Sequence, residues 1–229
     1  MPGIVFVNPN SDVACTAGIA AAIAPFDRER VMRVSTLSDG PKAILSWRDW
    51  HGVVEPLCRL VEREPADLYV IACASDPGIE AVRTVTKRPV LGVFRCAVAS
   101  AVARAERFGV IAIVEASKAR HMAALRSMGL ESRLAGEVAL NVAMKVLLDP
   151  AAAHTRLVAA GRDLVAAGAD SVIFGCTGMA HHRGAVEQAI GIPVIEPCQA
   201  AAAQAILVTR TAEFFRPFAS SEGSIPTNA

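Results

Sequence analysis

Short β-branched and aliphatic runs alternate along this chain with longer alanine-rich stretches, almost from end to end. The runs predict strands at Ile4–Asn8, Val31–Thr36, Leu68–Cys73, Val90–Phe94, Phe108–Ile113, Ser171–Gly175 and Pro193–Ile195. The stretches between them predict helices that include Ala14–Ile23, Trp47–Glu64, Lys118–Met128, Ala151–Ala167 and Ala200–Thr209. Strand–helix alternation joined by short turns is the pattern of an α/β fold, in which mostly parallel sheets are flanked by helices. Residues 219–229, with the polar run SSEGSIPTNA, read as a flexible tail.

The chain also echoes itself. ADLYVIACASDPGIEAVRTVTKRPVLG begins at Ala66 and ADSVIFGCTGMAHHRGAVEQAIGIPVIE at Ala169. Each opens on Ala-Asp, runs through an apolar strand to a cysteine, and passes through a helix to Pro-Val. The cysteines are displaced by 176 − 73 = 103 residues and the prolines by 193 − 89 = 104. An earlier pair, PGIVFVNPN and FGVIAIVEAS, is displaced by 110 − 4 = 106. Chance likeness between two Ala/Val-rich units explains one pair, but three coincident landmarks favour duplication. Two pseudo-twofold-related lobes are therefore expected, with the active site in the cleft between them. Residues 1–95 plus 205–218 would form the first lobe and carry Cys73; residues 96–204 would form the second and carry Cys176.

Composition narrows the function classes. Of the 229 residues, 53 % are hydrophobic and 20 % charged, which suits an ordinary globular protein. The net charge is +1 with no basic block, so no nucleic-acid partner is expected. MPGIVFVNPN lacks the basic and long apolar regions of a secretory signal, and the longest apolar tracts are too short to cross a bilayer. A cytoplasmic protein with no membrane partner is the expectation. The six cysteines form no CxxC pair or dense framework, so they read as free thiols, and thiol-redox chemistry has no resolving pair to support it.

Cys73 and Cys176 stand at the carboxyl ends of predicted parallel strands, where ligands of such sheets bind. Facing each other across a cleft, a thiolate and a thiol could remove a proton from one side of a carbon and return one to the other, inverting it. A thiol with pKa near 8.5 pays about 2 kcal/mol to be thiolate at pH 7. A helix N-terminus at each site, contributing about 0.3–2 kcal/mol, would offset much of this. Asp76 is expected to cap the helix after Cys73, with Pro77 in its first turn, and Thr177 or Gly178 to play that part after Cys176. Cys15, Cys58 and Cys198 read as core filler and Cys96 as packing. His181-His182 has no strong zinc spacing and reads as a solvated helix start, with His181 a lesser candidate for the pocket.

VNPNS at Val7–Ser11, GPKAI at Gly40–Ile44, ACASDPG at Ala72–Gly78 and GCTGM at Gly175–Met179 resemble the aspartate/glutamate/hydantoin racemase superfamily, in order along most of the chain. The resemblance implies a PLP-independent two-base isomerase with no cofactor and no metal. It places Cys73 and Cys176 as the catalytic pair, and Asn8, Pro41, Ser75, Asp76, Thr177 and Gly178 in the substrate cleft. Gly178 stands where amino-acid racemases usually carry histidine, which resembles the hydantoin racemase branch. The implied substrate is a small molecule, first a 5-substituted hydantoin, and the implied assembly a homo-oligomer. An aspartate/glutamate-type racemase, a maleate isomerase-like or arylmalonate decarboxylase-like enzyme, and a silent small-acid binder remain alternatives. The chain departs from the hydantoin pattern at Arg95-Cys96, at Ala112-Ile113 within VIAIVEAS, and at Trp47, Trp50 and His51, in loops expected near the substrate.

Overall fold

The computed structural model describes residues 3–29, 31–142, 146 and 150–214. The segments 215–218 and 219–229, expected as the end of the first lobe and a tail, lie outside the described residues. Two four-stranded parallel sheets form the frame. The first holds β1 (Ile4–Asn8), β2 (Met32–Thr36), β3 (Leu68–Ile71) and β4 (Val90–Gly92) in the order β2-β1-β3-β4. The second holds β5 (Phe108–Ala112), β6 (Leu134–Ala139), β7 (Ser171–Gly175) and β8 (Val194–Ile195) in the order β6-β5-β7-β8. Each sheet thus runs second–first–third–fourth in chain order, and the internal echo of the sequence is an echo of topology.

Central strands β1, β3, β5 and β7 are buried along their full length, as expected where helices cover both faces. The helices are α1 (Val13–Ile23), α2 (Trp47–Gly52), α3 (Val54–Arg63), α4 (Ile79–Val85), α5 (Val93–Val102), α6 (Glu115–Met128), α7 (Pro150–Ala166), α8 (Arg183–Ile190) and α9 (Pro197–Phe214). Among the described residues no helix is long and apolar enough to cross a membrane.

Three expectations need correction. The single helix expected over Trp47–Glu64 is two, α2 and α3, parted at Val53. Pro56 has no N–H to donate to the Gly52 carbonyl, so the helix restarts with proline in its first turn. The strand expected to reach Phe94 ends at Gly92, and α5 begins at once. Strand β6 was not expected at all: it is a half-buried edge strand, and its sequence LAGEVA lacks a β-branched run.

Asp76 does not cap α4, whose N-cap is Gly78 at φ 67. Its carboxylate instead accepts from the N–H groups of Phe94 and Arg95, both at 2.9 Å, and so caps α5. Gly92, the N-cap residue of α5, has no side chain to do this. Burial still pushes the Asp76 carboxyl up to about 6, against the lowering pull of those two N–H groups and of Arg95. A Cβ on Gly92 would lie 2.3 Å from Asp76 Cγ. Gly92→Ala is therefore expected to cost about 1–3 kcal/mol in urea unfolding; a change within error would contradict the close fit between these two residues.

Candidate active site

The carboxyl ends of both sheets open onto one cavity of about 460 Å³. Ala72, Cys73, Ala74 and Ser75 line it from the first sheet, and Gly175, Cys176, Thr177 and Gly178 from the second. After β3 the chain turns through an Asp76 N–H to Cys73 carbonyl bond of 2.9 Å, which leaves the Cys73 side chain half-buried at the cavity. After β7 the chain enters a 3-10 turn over Thr177–His182 with Cys176 at its N-cap, and this thiol too is half-buried. Gly175 is a close approach: a Cβ there would meet Ile111 O at 2.8 Å and His121 Cε1 at 3.0 Å.

Cys73, Cys176, Ser75, Thr177 and Gly178 all line the cavity, whereas Asn8, Pro41 and Asp76 are not among its lining residues. Asn8 is fully buried; its amide nitrogen donates to Asn10 Oδ1, Asp12 O and Thr16 Oγ1 at 3.0–3.3 Å, shaping the NPNS turn. That turn puts Asn10, Asp12 and Cys15 at the cavity. The Pro41 carbonyl accepts from Ser11 N–H at 2.9 Å, stitching GPKA to NPNS, and places Lys42 to Leu45 on the wall. Trp47, Trp50 and His51 are not lining residues. Trp50 works from behind: its indole N–H donates to the Ser75 carbonyl at 3.1 Å and braces the Cys73 loop. Arg95 likewise faces away, pairing with Glu80 at 2.5 Å and lying 3.8 Å from Asp76.

Among the lining residues that escaped the sequence, three carry reactive or charged groups deep in the site: Cys15, Arg120 and His121. Cys15, read there as filler, is a third thiol of the cavity, its sulfur 3.7 Å from Thr177 Oγ1. The echo gives no hint of it, because no cysteine stands at its counterpart. Arg120 and His121 are 3 % and 1 % exposed and face the cavity from α6. His121 Nδ1 lies 2.5 Å from Glu137 Oε1, and the ring stacks on Phe94 with centroids 4.7 Å apart. Nothing in the sequence marks Arg120 and His121 out from the solvated polar residues of a helix. His181 lines the cavity as well.

The thiols are not lowered in the way helix N-termini would lower them. Burial raises Cys73, against the opposing pull of the Ser75 hydroxyl and backbone. Burial pushes Cys176 up to about 12, against a backbone hydrogen bond from Gly178. The expected dipoles are displaced, since α4 begins six residues beyond Cys73 and α8 seven beyond Cys176. A thiolate at Cys73 or Cys15 would raise Cys176 further, as close acidic groups do.

Only thiolate reacts with iodoacetamide, so raised thiols predict slow labelling near neutrality. Labelling of Cys176, followed by peptide mass spectrometry, is expected to climb about tenfold per pH unit past pH 9. A plateau below pH 8 would contradict the burial argument.

The family model for Asp/Glu/Hydantoin racemase matches residues 4–205. A hydantoin racemase of Pseudomonas sp. (strain NS671) is 34 % identical over 206 residues, covering 84 % of this chain and 80 % of the relative. A hydantoin racemase of Paenarthrobacter aurescens is 31 % identical over 211 residues, covering 86 % and 87 %. Among solved structures, allantoin racemase from Klebsiella pneumoniae superposes with a TM-score of 0.85 at 23 % identity, covering 93 % of this chain and 89 % of that one. With two like sheets, a shared cavity and a matched model over most of its length, the chain belongs to the Asp/Glu/hydantoin racemase family.

Proposed function

We propose that this chain racemises a 5-substituted hydantoin, with Cys73 and Cys176 acting as acid and base on opposite faces of the ring. The observation that supports this most is the delivery of two thiols into one cavity by topologically equivalent strand ends of two separate sheets. Seated between them, the hydantoin presents its C5–H beside the C4 carbonyl. One sulfur, as thiolate, takes that proton, and the electron pair moves onto the carbonyl oxygen as an enolate. The other sulfur, as thiol, returns a proton to the opposite face, and the first is left protonated. The next turnover runs in the reverse direction.

Burial serves this chemistry in two ways. It makes each thiolate scarce, but it also makes it a stronger base against a weakly acidic carbon. The Ser75 and Thr177 hydroxyls line the same cavity and would hold the enolate oxygen, and such fixed donors act most strongly away from water. The same proposal takes the lobes as residues 1–95 with 205–218 and residues 96–204, in a cytoplasmic homo-oligomer that needs no cofactor.

If both sulfurs are required, Cys73→Ser and Cys176→Ser should each lower racemisation by at least about a hundredfold. Loss of optical rotation by a pure enantiomer, with circular dichroism as the folding control, measures this. Wild-type activity in either variant would rule out the two-base mechanism.

A further inference from the structure

The buried face of α6 is apolar at Ala124 and Leu125 but polar in its N-terminal half, where it meets the cavity. Ser117, Arg120 and His121 stand at i, i+3 and i+4, all less than 5 % exposed, and all three line the cavity. Arg120 carries a permanent positive charge. Its Nη1 donates to the carbonyls of Leu45 and Ala116 at 3.3 and 3.1 Å, and its Nη2 to Ile44 O and Ser117 Oγ at 3.4 and 3.1 Å. Those four bonds use the four terminal N–H groups. Nε–H is buried and has no partner among the described residues.

No carboxylate among the described residues pairs with this guanidinium. Asp49, a carboxylate whose field reaches it, as that of Cys73 does, is engaged by Ser46 Oγ, Ser46 N and Leu45 N at 2.8, 2.8 and 3.1 Å. Glu137 is held by His121, and Asp12 caps α1 through Ala14 N. A buried cation whose hydrogen bonds all go to neutral oxygens is costly, and a free buried N–H adds to that cost. Ser117, already accepting from Arg120, retains a hydroxyl hydrogen to give. Lys42, on the exposed rim of the same wall, adds a second positive charge.

We propose that Arg120 and Ser117 form a subsite for an anionic group on the substrate's 5-substituent, so that the chain favours hydantoins with a short acidic side chain over neutral ones. The proposal rests on the racemase function above and narrows its substrate. A carboxylate there would accept from the Ser117 hydroxyl and lie against the Arg120 guanidinium, adding a negative charge to a wall that holds a buried positive one. The reacting carbon would stay at the sulfurs, with Cys73 within electrostatic reach of Arg120.

Hydantoin-5-acetate and hydantoin-5-acetamide differ by a charge at nearly constant shape and make the test. At fixed ionic strength, kcat/KM for racemisation of the acetate is expected to exceed that of the acetamide by at least about tenfold, with tighter calorimetric binding in the same order. Arg120→Met should bring the ratio close to one, and Arg120→Lys should keep part of it. Equal or better turnover of the acetamide by wild type would overturn the subsite, as would an unchanged ratio in folded R120M. Should R120M not fold, the wild-type ratio and R120K still decide. If neither compound is racemised but 5-benzylhydantoin is, the subsite is overturned and the racemase function stands. If 5-benzylhydantoin is not racemised either, the racemase function fails, and equal calorimetric binding of the acetate and acetamide would overturn the subsite as well.

Discussion

Each sheet is covered on one side by a helix that starts from the other sheet, and this exchange holds the two cysteines over a single cavity. Helix α5 leaves β4 of the first sheet, yet Phe94, Ala97, Val98 and Ala101 pack with Phe108, Val110 and Ile173 of the second. Helix α9 leaves β8 of the second sheet, and Cys198, Ala201, Ala202 and Ala205 pack with Ile4, Phe6, Leu68 and Val70 of the first. The two helices also lie against each other, where Gln204 donates to the Cys96 carbonyl at 3.1 Å. Alanine at so many of these contacts lets the helices approach closely, which gives the low aromatic content a structural meaning. Phe94 is fully buried and by itself contributes on the order of 2–3 kcal/mol to this seam.

The helix starts show how the duplicated halves diverged while keeping one physical requirement. The N–H groups that open α5 and α9 are buried and need an acceptor. In the second half Glu196 supplies it directly, accepting from Gln199 N–H at 2.7 Å. In the first half the matching position is Gly92, and the carboxylate comes from Asp76 on a neighbouring loop. Both carboxyls are raised by burial, Glu196 to about 7 and Asp76 to about 6. Asp76 is therefore a support of the site's frame, reached by a residue whose motif position suggested the cleft.

Much of this was legible in the chain. The central strands stood out because buried parallel strands are apolar throughout, and the cysteine echo located both halves of the cavity. Strand β6 was hidden because an edge strand with Gly136 and Glu137 carries no such run. Yet the offset already in hand points to it, since Met32 displaced by 103 falls at residue 135, inside Leu134–Ala139. Asn8 and Pro41, expected in the cleft, are not among the residues that line the cavity, because loop motifs reveal which turns matter, not which side chains of a turn face inward. Arg120 and His121 went unseen for a different reason: polar residues on a helix read as solvated until the structure shows that their face is the buried one.

The central claim, that protons leave and return on opposite faces through two sulfurs, is tested most directly by early-time racemisation in D2O. A single hydantoin enantiomer would be sampled at a few per cent conversion, with substrate and product separated on a chiral column and deuterium at C5 read by proton NMR. With two bases, the product enantiomer carries deuterium while recovered substrate keeps its original hydrogen. Deuterium entering recovered substrate as fast as product would mean that one group serves both faces, and the two-sulfur mechanism would be wrong.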